Sequence, residues 1–182
     1  MKNIIKVIDE LLNEKEFVVI AIDGSAASGK TTLAKKLQLH YNCEIVKMDH
    51  FFLPPQKRTV ERLNTPGGNI DYERFKTEVI NNLGSSFFYR IFNCSLMRLD
   101  ADQYIKKGKL LIIEGSYSLH PYFGKYYDLS IFLDVESSLQ IERIKNRDGE
   151  VLLKQFVDKW IKYEQIYHNA FDIKSNVDIY LK

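Results

Sequence analysis

Gly24–Ser25–Ala26–Ala27–Ser28–Gly29–Lys30–Thr31 decides how the rest of the chain is read. Its spacing is GxxxxGK[ST], a glycine loop whose backbone N–H groups cradle phosphate oxygens. The flanks agree with it. Phe17–Asp23 is an apolar, β-branched run that predicts a buried strand. Thr32–Leu39 carries good helix formers with apolar residues at helical spacing. Strand, loop and helix together place several N–H groups and a helix N-terminus around one small volume, which favours the β- and γ-phosphates of a nucleotide. Gly24, Ser25, Ala26, Ala27, Ser28, Gly29, Lys30, Thr31 and Thr32 are therefore candidate nucleotide-binding residues. Lys30 is expected to reach the phosphates, and the Thr31 hydroxyl to ligate Mg²⁺.

Composition narrows the classes of function. With 182 residues, 45% hydrophobic and 27% charged, the chain is long enough for a sizeable core and reads as one soluble globular domain, 1–182. A formal net charge of +2 is too small to point to nucleic acid or a membrane. Cys43 and Cys94 lie far apart without metal-ligand spacing and are expected to be reduced. Ile4, Ile5, Val7, Ile8, Leu11 and Leu12, interrupted by charges, predict an amphipathic helix rather than a signal peptide. No apolar run has transmembrane length, so the expected location is the cytoplasm.

Beyond the loop the chain alternates strand and helix, which predicts an α/β fold with a mostly parallel sheet. Strands are expected at Phe17–Asp23, Glu44–Met48, Phe87–Phe92, Leu110–Glu114, Leu129–Asp134 and Val177–Leu181. Helices are expected at Lys2–Glu14, Lys30–Tyr41, Asp71–Leu83, Ala101–Lys107, Ser137–Asn146 and Glu150–Ala170. In the last of these, Leu152, Phe156, Trp160, Tyr163 and Tyr167 form a stripe expected to pack in the core. His50–Ile70, with its prolines and glycines, has no sustained periodicity. It begins at the carboxyl edge of the sheet, where open α/β folds bind ligands, and reads as a substrate-binding loop.

Phosphoryl transfer needs positioning, charge neutralisation and a group that takes the nucleophile's proton. Asp49 ends the second strand on the same sheet edge as the glycine loop. It could serve as that base or hold a metal-bound water; it could equally be a solvated or capping aspartate. Glu114 closes an apolar strand and fits the acid that orients Mg²⁺ beside Thr31. Arg143 and Arg147 share a helix face and could close over a triphosphate, or simply complement a helix C-terminus. Phe51, Phe52, Tyr89 and Phe92 could stack on a planar base, although aromatics near strands more often belong to the core. His40, His120 and His168 are lone histidines to which no role is assigned.

In this order the motifs resemble the uridine kinase family, within the wider group that includes phosphoribulokinase and bacterial pantothenate kinase. The segments that carry the resemblance are the glycine loop, Met48–Pro54, Thr65–Phe75, Ile112–Tyr117, Tyr127–Asp134 and Arg143–Asp148. The resemblance implies that Asp49 is the general base near the metal, that Glu114 assists Mg²⁺, and that Arg147, with Arg143, belongs to a lid. It implies acceptor-binding roles for Phe52, Asp71, Tyr89 and Arg90. A related bacterial subgroup usually has a second aspartate where this chain has His50, and the lid here is short, about 143–150.

These readings predict the three-layer α/β/α fold of P-loop NTPases, with a mostly parallel five-stranded sheet and a short lid. The expected activity is ATP- and Mg²⁺-dependent phosphorylation of an alcohol on a nucleoside such as uridine or cytidine. Pantothenate or a sugar phosphate is the alternative acceptor, and residues 50–75 would form most of its site. The expected partners are a nucleotide donor and a small-molecule acceptor, with no nucleic acid and no membrane; a homo-oligomer is left open. A regulatory nucleotide switch is the competing class, although the Asn-Lys-x-Asp base-recognition segment of GTPases is missing.

Overall fold

The computed structural model describes all residues from Met1 to Lys182. Strand β1 (Val18–Gly24) is buried along its whole length, as are β5 (Leu110–Glu114) and β6 (Leu129–Leu133). Buried on both faces, these strands read as continuous apolar runs rather than alternating ones. With β2 (Glu44–Lys47) and β7 (Ile179–Leu181) they form a five-stranded sheet in the order β2-β5-β1-β6-β7. Every pairing in it is parallel. β1 lies in the centre, so the loop that follows it opens at the middle of the carboxyl edge.

Successive residues of β1 point to opposite faces and divide the core in two. Val18, Ile20 and Ile22 pack against Ile4 and Ile8 of helix α1 (Lys2–Glu14) and Leu33, Ala34 and Leu37 of α2 (Lys30–Tyr41). Val19 and Ala21 face a second cluster, which holds Phe51, Phe75, Tyr89, Phe132 and Tyr167. Each large side chain fully buried there contributes roughly 1.5–3 kcal/mol of transfer free energy. The result is the expected three layers.

Two expectations are corrected. Ala101–Lys107 is not a helix: it falls largely within β4 (Arg98–Ile105), which pairs antiparallel with β3 (Phe87–Asn93). The ladder to β3 overrides the helix-forming tendency of Ala101, Gln103 and the lysines. This hairpin forms a sheet of its own and adds no strand to the parallel one. The stripe on the last helix is not core either, apart from Tyr167, which is fully buried. Leu152, Phe156 and Trp160 instead line a cavity at the carboxyl edge, because the helix crosses above the open end of the sheet.

The polar loop after β2 is folded back on itself. It contains the short helix α3 (Val60–Asn64) and leads into α4 (Tyr72–Glu78), with an isolated bridge between Phe52 and Ile70. Arg62 braces it, donating to the carbonyls of Gly68 and Ile70 and making a bidentate pair with Glu73. The two helices expected at Ser137–Asn146 and Glu150–Ala170 meet at Gly149, whose φ of 80° and ψ of 173° break helical geometry. An L-residue adopts that conformation only under strain, so glycine sets the kink. The helical path is α5 (Ser137–Gln155), a π-helical turn at Phe156–Trp160, and α6 (Ile161–Ala170). No helix is long and apolar enough to cross a membrane.

Candidate functional site

The glycine loop connects β1 to α2 as the spacing predicts. Ala26, Ala27, Gly29, Lys30, Thr31 and Thr32 line a cavity of about 900 Å³. Gly24, Ser25 and Ser28 do not face it: the Ser25 hydroxyl donates to Asp134 at 3.0 Å, and Gly24 runs against the Leu133 carbonyl. At the start of α2 the N–H groups of Gly29, Lys30, Thr31 and Thr32 find no acceptor in the protein. These donors at a helix N-terminus suit polyphosphate. Lys30 is almost fully buried, and its Nζ donates to the Gly24 and Ser25 carbonyls, both at 2.8 Å.

Two buried carboxylates that the sequence reading missed hold this loop. Asp23 accepts the N–H groups of Gly24 at 2.7 Å, Tyr117 at 3.1 Å and Leu119 at 3.0 Å, and the Tyr167 hydroxyl at 2.8 Å. Burial pushes its carboxyl up, and those hydrogen bonds oppose the shift. Glu164 of α6 accepts the Ala26 N–H at 2.8 Å and lies 2.6 Å from the Ser116 hydroxyl. Each had a signal in the sequence. Asp23 is a charge ending an apolar strand, and Glu164 lies four residues after Trp160 on the apolar stripe.

The Thr31 hydroxyl lies 3.2 and 3.3 Å from the two oxygens of Glu114, the last residue of β5. Burial and then the charge of Asp49 push the Glu114 carboxyl up, while Lys30 pulls it down. Asp49 therefore stands close to Glu114. It sits on the 3₁₀ turn Met48–Phe51 that follows β2, and it lines the cavity. A Cβ on Gly115 would meet that of Met48 at 2.8 Å, so glycine lets the ends of β5 and β2 approach. Arg74 fixes the turn from below, donating to the His50 and Arg90 carbonyls, both at 2.6 Å. Thr31, Glu114 and Asp49 offer one hydroxyl and two carboxylates. That donor set suits Mg²⁺, which takes one or two carboxylates and completes its shell with water and substrate phosphates.

Arg143 and Arg147 also line the cavity. Arg143 donates to the Ala27 carbonyl at 3.1 Å, while Arg147 grips Asp148 through Nε and Nη2. Of the acceptor residues implied by the resemblance, only Phe52 lines the cavity, its ring 5.8 Å from that of Trp160. Asp71, Tyr89 and Arg90 lie outside the cavity's lining. Asp71 is buried as the N-cap of α4 and binds Lys57 at 3.0 Å. Tyr89 is core, its hydroxyl 2.8 Å from His50 Nδ1, and Arg90 is exposed on the outer side of β3. His50 thus points away from the cavity, and burial lowers its pKa. The lining also includes Arg58 and Asn69, to which the sequence reading gave no role.

The chain shares its fold with a solved structure, and others align less well. A possible uridine kinase from Bacillus stearothermophilus aligns with a TM-score of 0.70 at 18% identity, covering 99% of this chain and 100% of that one. TT1252 from Thermus thermophilus gives a TM-score of 0.49 at 15% identity, over 91% of this chain and 88% of that one. Shikimate kinase from Acinetobacter baumannii gives 0.46 at 17% identity, over 94% and 87%. No protein-family model matches the chain, and no curated protein matches it by sequence.

Proposed function

We propose that this protein is an ATP- and Mg²⁺-dependent kinase that transfers the γ-phosphoryl group to the hydroxyl of a small molecule. One observation carries the reading: the glycine loop and Asp49 line the same cavity, which extends well beyond the loop itself. A cradle alone would suit a nucleotide switch. A carboxylate placed across from it, with room beside it, suits an acceptor. The full-length structural likeness to a possible uridine kinase supports the same class.

In this reading the free N–H groups of Gly29–Thr32 hold the phosphates. Lys30 Nζ exchanges two loop carbonyls for phosphate oxygens. Thr31, Glu114 and Asp49 would hold Mg²⁺, which when bound supplies charge neutralisation on the β- and γ-phosphates. Asp49 accepts the proton of the acceptor hydroxyl as its oxygen attacks phosphorus in line and the bond to ADP breaks. Arg147 exchanges Asp148 for phosphate as the kinked helix closes, excluding water that would otherwise hydrolyse ATP.

Two acceptor classes compete. The Phe52 and Trp160 rings favour a planar group such as the base of uridine or cytidine. The polar lining around Asp49 favours a charged acceptor, taken up below. ADP release with ATP, Mg²⁺ and a panel of alcohols tests the activity: release that depends on the acceptor is expected. The same release with every alcohol and with none would overturn the kinase reading.

A further inference from the structure

Resting on the kinase reading above, we propose that the acceptor is an anionic alcohol, whose carboxylate or phosphate is bound by the Arg58 guanidinium in the cavity that Asp49 also lines.

The pairing of the arginines leads to it. Arg62, Arg74, Arg90, Arg98 and Arg147 each lie within 4 Å of a carboxylate. Arg58 and Arg143 form no such pair, and both line the cavity. Arg143 stands over the glycine loop at the Ala27 carbonyl and belongs to the donor half. Arg58 belongs to the other half. It and Asp49 act in opposite directions on the Cys94 thiol, so both stand near that residue. Asp49 nevertheless makes no ion pair with it. The remaining carboxylates of the lining are engaged at the loop, Glu114 with Thr31 and Glu164 with Ala26.

Arg58 is held ready for a ligand. Its Nε donates to the Leu53 carbonyl at 2.7 Å, which fixes the guanidinium plane and leaves both terminal nitrogens without a protein partner. The Leu53 N–H donates in turn to the Asn69 carbonyl at 2.9 Å, so one buried residue positions both groups. Asn69 is only 6% exposed, and its Nδ2 is sealed from the cavity beside the Tyr117 hydroxyl, so it braces the Leu53 segment that carries Arg58. A half-buried unpaired cation costs stability, and a neutral nucleoside would leave it unmatched. An anion satisfies it, with Phe52 and Trp160 covering its carbon skeleton.

The test uses the full chain with ATP and Mg²⁺ and measures acceptor-dependent ADP release. Uridine and cytidine form the neutral arm, D-glycerate and pantothenate the carboxylate arm, and ribose 5-phosphate the phosphate arm. An anionic alcohol should exceed uridine in kcat/KM by roughly 100-fold or more, and the better arm identifies the anion. Arg58→Met should raise that acceptor's KM roughly 10- to 100-fold, Arg58→Lys less, and both should leave the KM for ATP within about twofold. The unchanged KM for ATP also reports an intact fold. Preference for uridine or cytidine, or an acceptor KM untouched by Arg58→Met, would overturn the proposal and leave the kinase reading standing. ADP release indifferent to every acceptor would overturn both.

Discussion

Glu164, on the last long helix, accepts the N–H of Ala26 in the glycine loop at 2.8 Å. Its other oxygen lies 2.6 Å from the Ser116 hydroxyl, which lies 3.0 Å from the Gly24 carbonyl. One hydroxyl proton cannot serve both acceptors. A proton on Glu164 would resolve the conflict: the carboxyl would donate to Ser116, whose own proton would go to Gly24. Burial pushes this carboxyl up, Lys30 and the hydrogen bonds from Ser116 and Ala26 oppose the shift, and Asp23 adds to it; Tyr117 is the other titratable neighbour.

Glu164→Gln should therefore behave like the parent, its amide donating to Ser116 and its carbonyl accepting from Ala26. We expect ATP affinity within about threefold for Gln and at least about tenfold weaker for Ala, which leaves the loop N–H unpaired. Parent affinity should also weaken as the pH rises through the raised Glu164 value, since the ionised form repels phosphate; the Gln variant should not follow. Equal losses in Gln and Ala would mean that the carboxylate works charged.

Asp49→Asn removes the proton acceptor and keeps the shape. Turnover should fall by roughly 10²- to 10⁴-fold while ATP affinity, measured by calorimetry, changes little. Near-parental turnover would remove Asp49 as the base.

Lys30→Ala should lower kcat by about 10²- to 10³-fold whichever acceptor is used, because its charge acts on the phosphates. A loss confined to one acceptor would place Lys30 outside the phosphate site.

His168 gives a test of stability against pH. It is 4% exposed, its ring meets Phe132 edge-on at 4.9 Å, and its Nε2 has no partner. Burial, with the nearby cations Lys174 and Lys30, lowers its pKa from 6.5 to about 3. The folded form thus holds it neutral while the unfolded chain takes up a proton below 6.5. The stability is fully present above 6.5 and is lost as the pH falls toward 3, with a slope near ~1.4 kcal/mol per pH unit for one proton. Urea unfolding between about pH 7 and pH 4 should show that slope, and His168→Gln should flatten it. An unchanged slope in the variant would assign the acid sensitivity elsewhere.

The donor half was legible in the sequence because its signals are local. The loop, its strand and its helix are contiguous, Glu114 ends an apolar strand, and Asp49 lies on the turn just after a short one. The acceptor half was not, because its geometry depends on distant pairings. Helix-forming residues at 101–107 gave no sign of the partner strand at 87–93. The spacing of Leu152, Phe156 and Trp160 defined a face without saying that the face meets a cavity. The resemblance implied a substrate role for Asp71, but its place at the end of the polar loop makes it a helix cap. Arg58 and Asn69 lie in a loop already marked for substrate, but only the pairing of the other arginines sets Arg58 apart.

The β3–β4 hairpin shares no ladder with the parallel sheet, and its tip supplies Cys94, Ser95 and Met97 to the cavity wall. The body of the hairpin packs into the core through Phe87, Tyr89 and Ile105, but its tip shares no backbone ladder with the strand that carries the glycine loop. Residues 94–97 can be exchanged or lengthened without shifting the register of β1, β5 or β6. Under the kinase reading, acceptor choice can be reassigned by grafting this tip while the glycine loop stays unchanged.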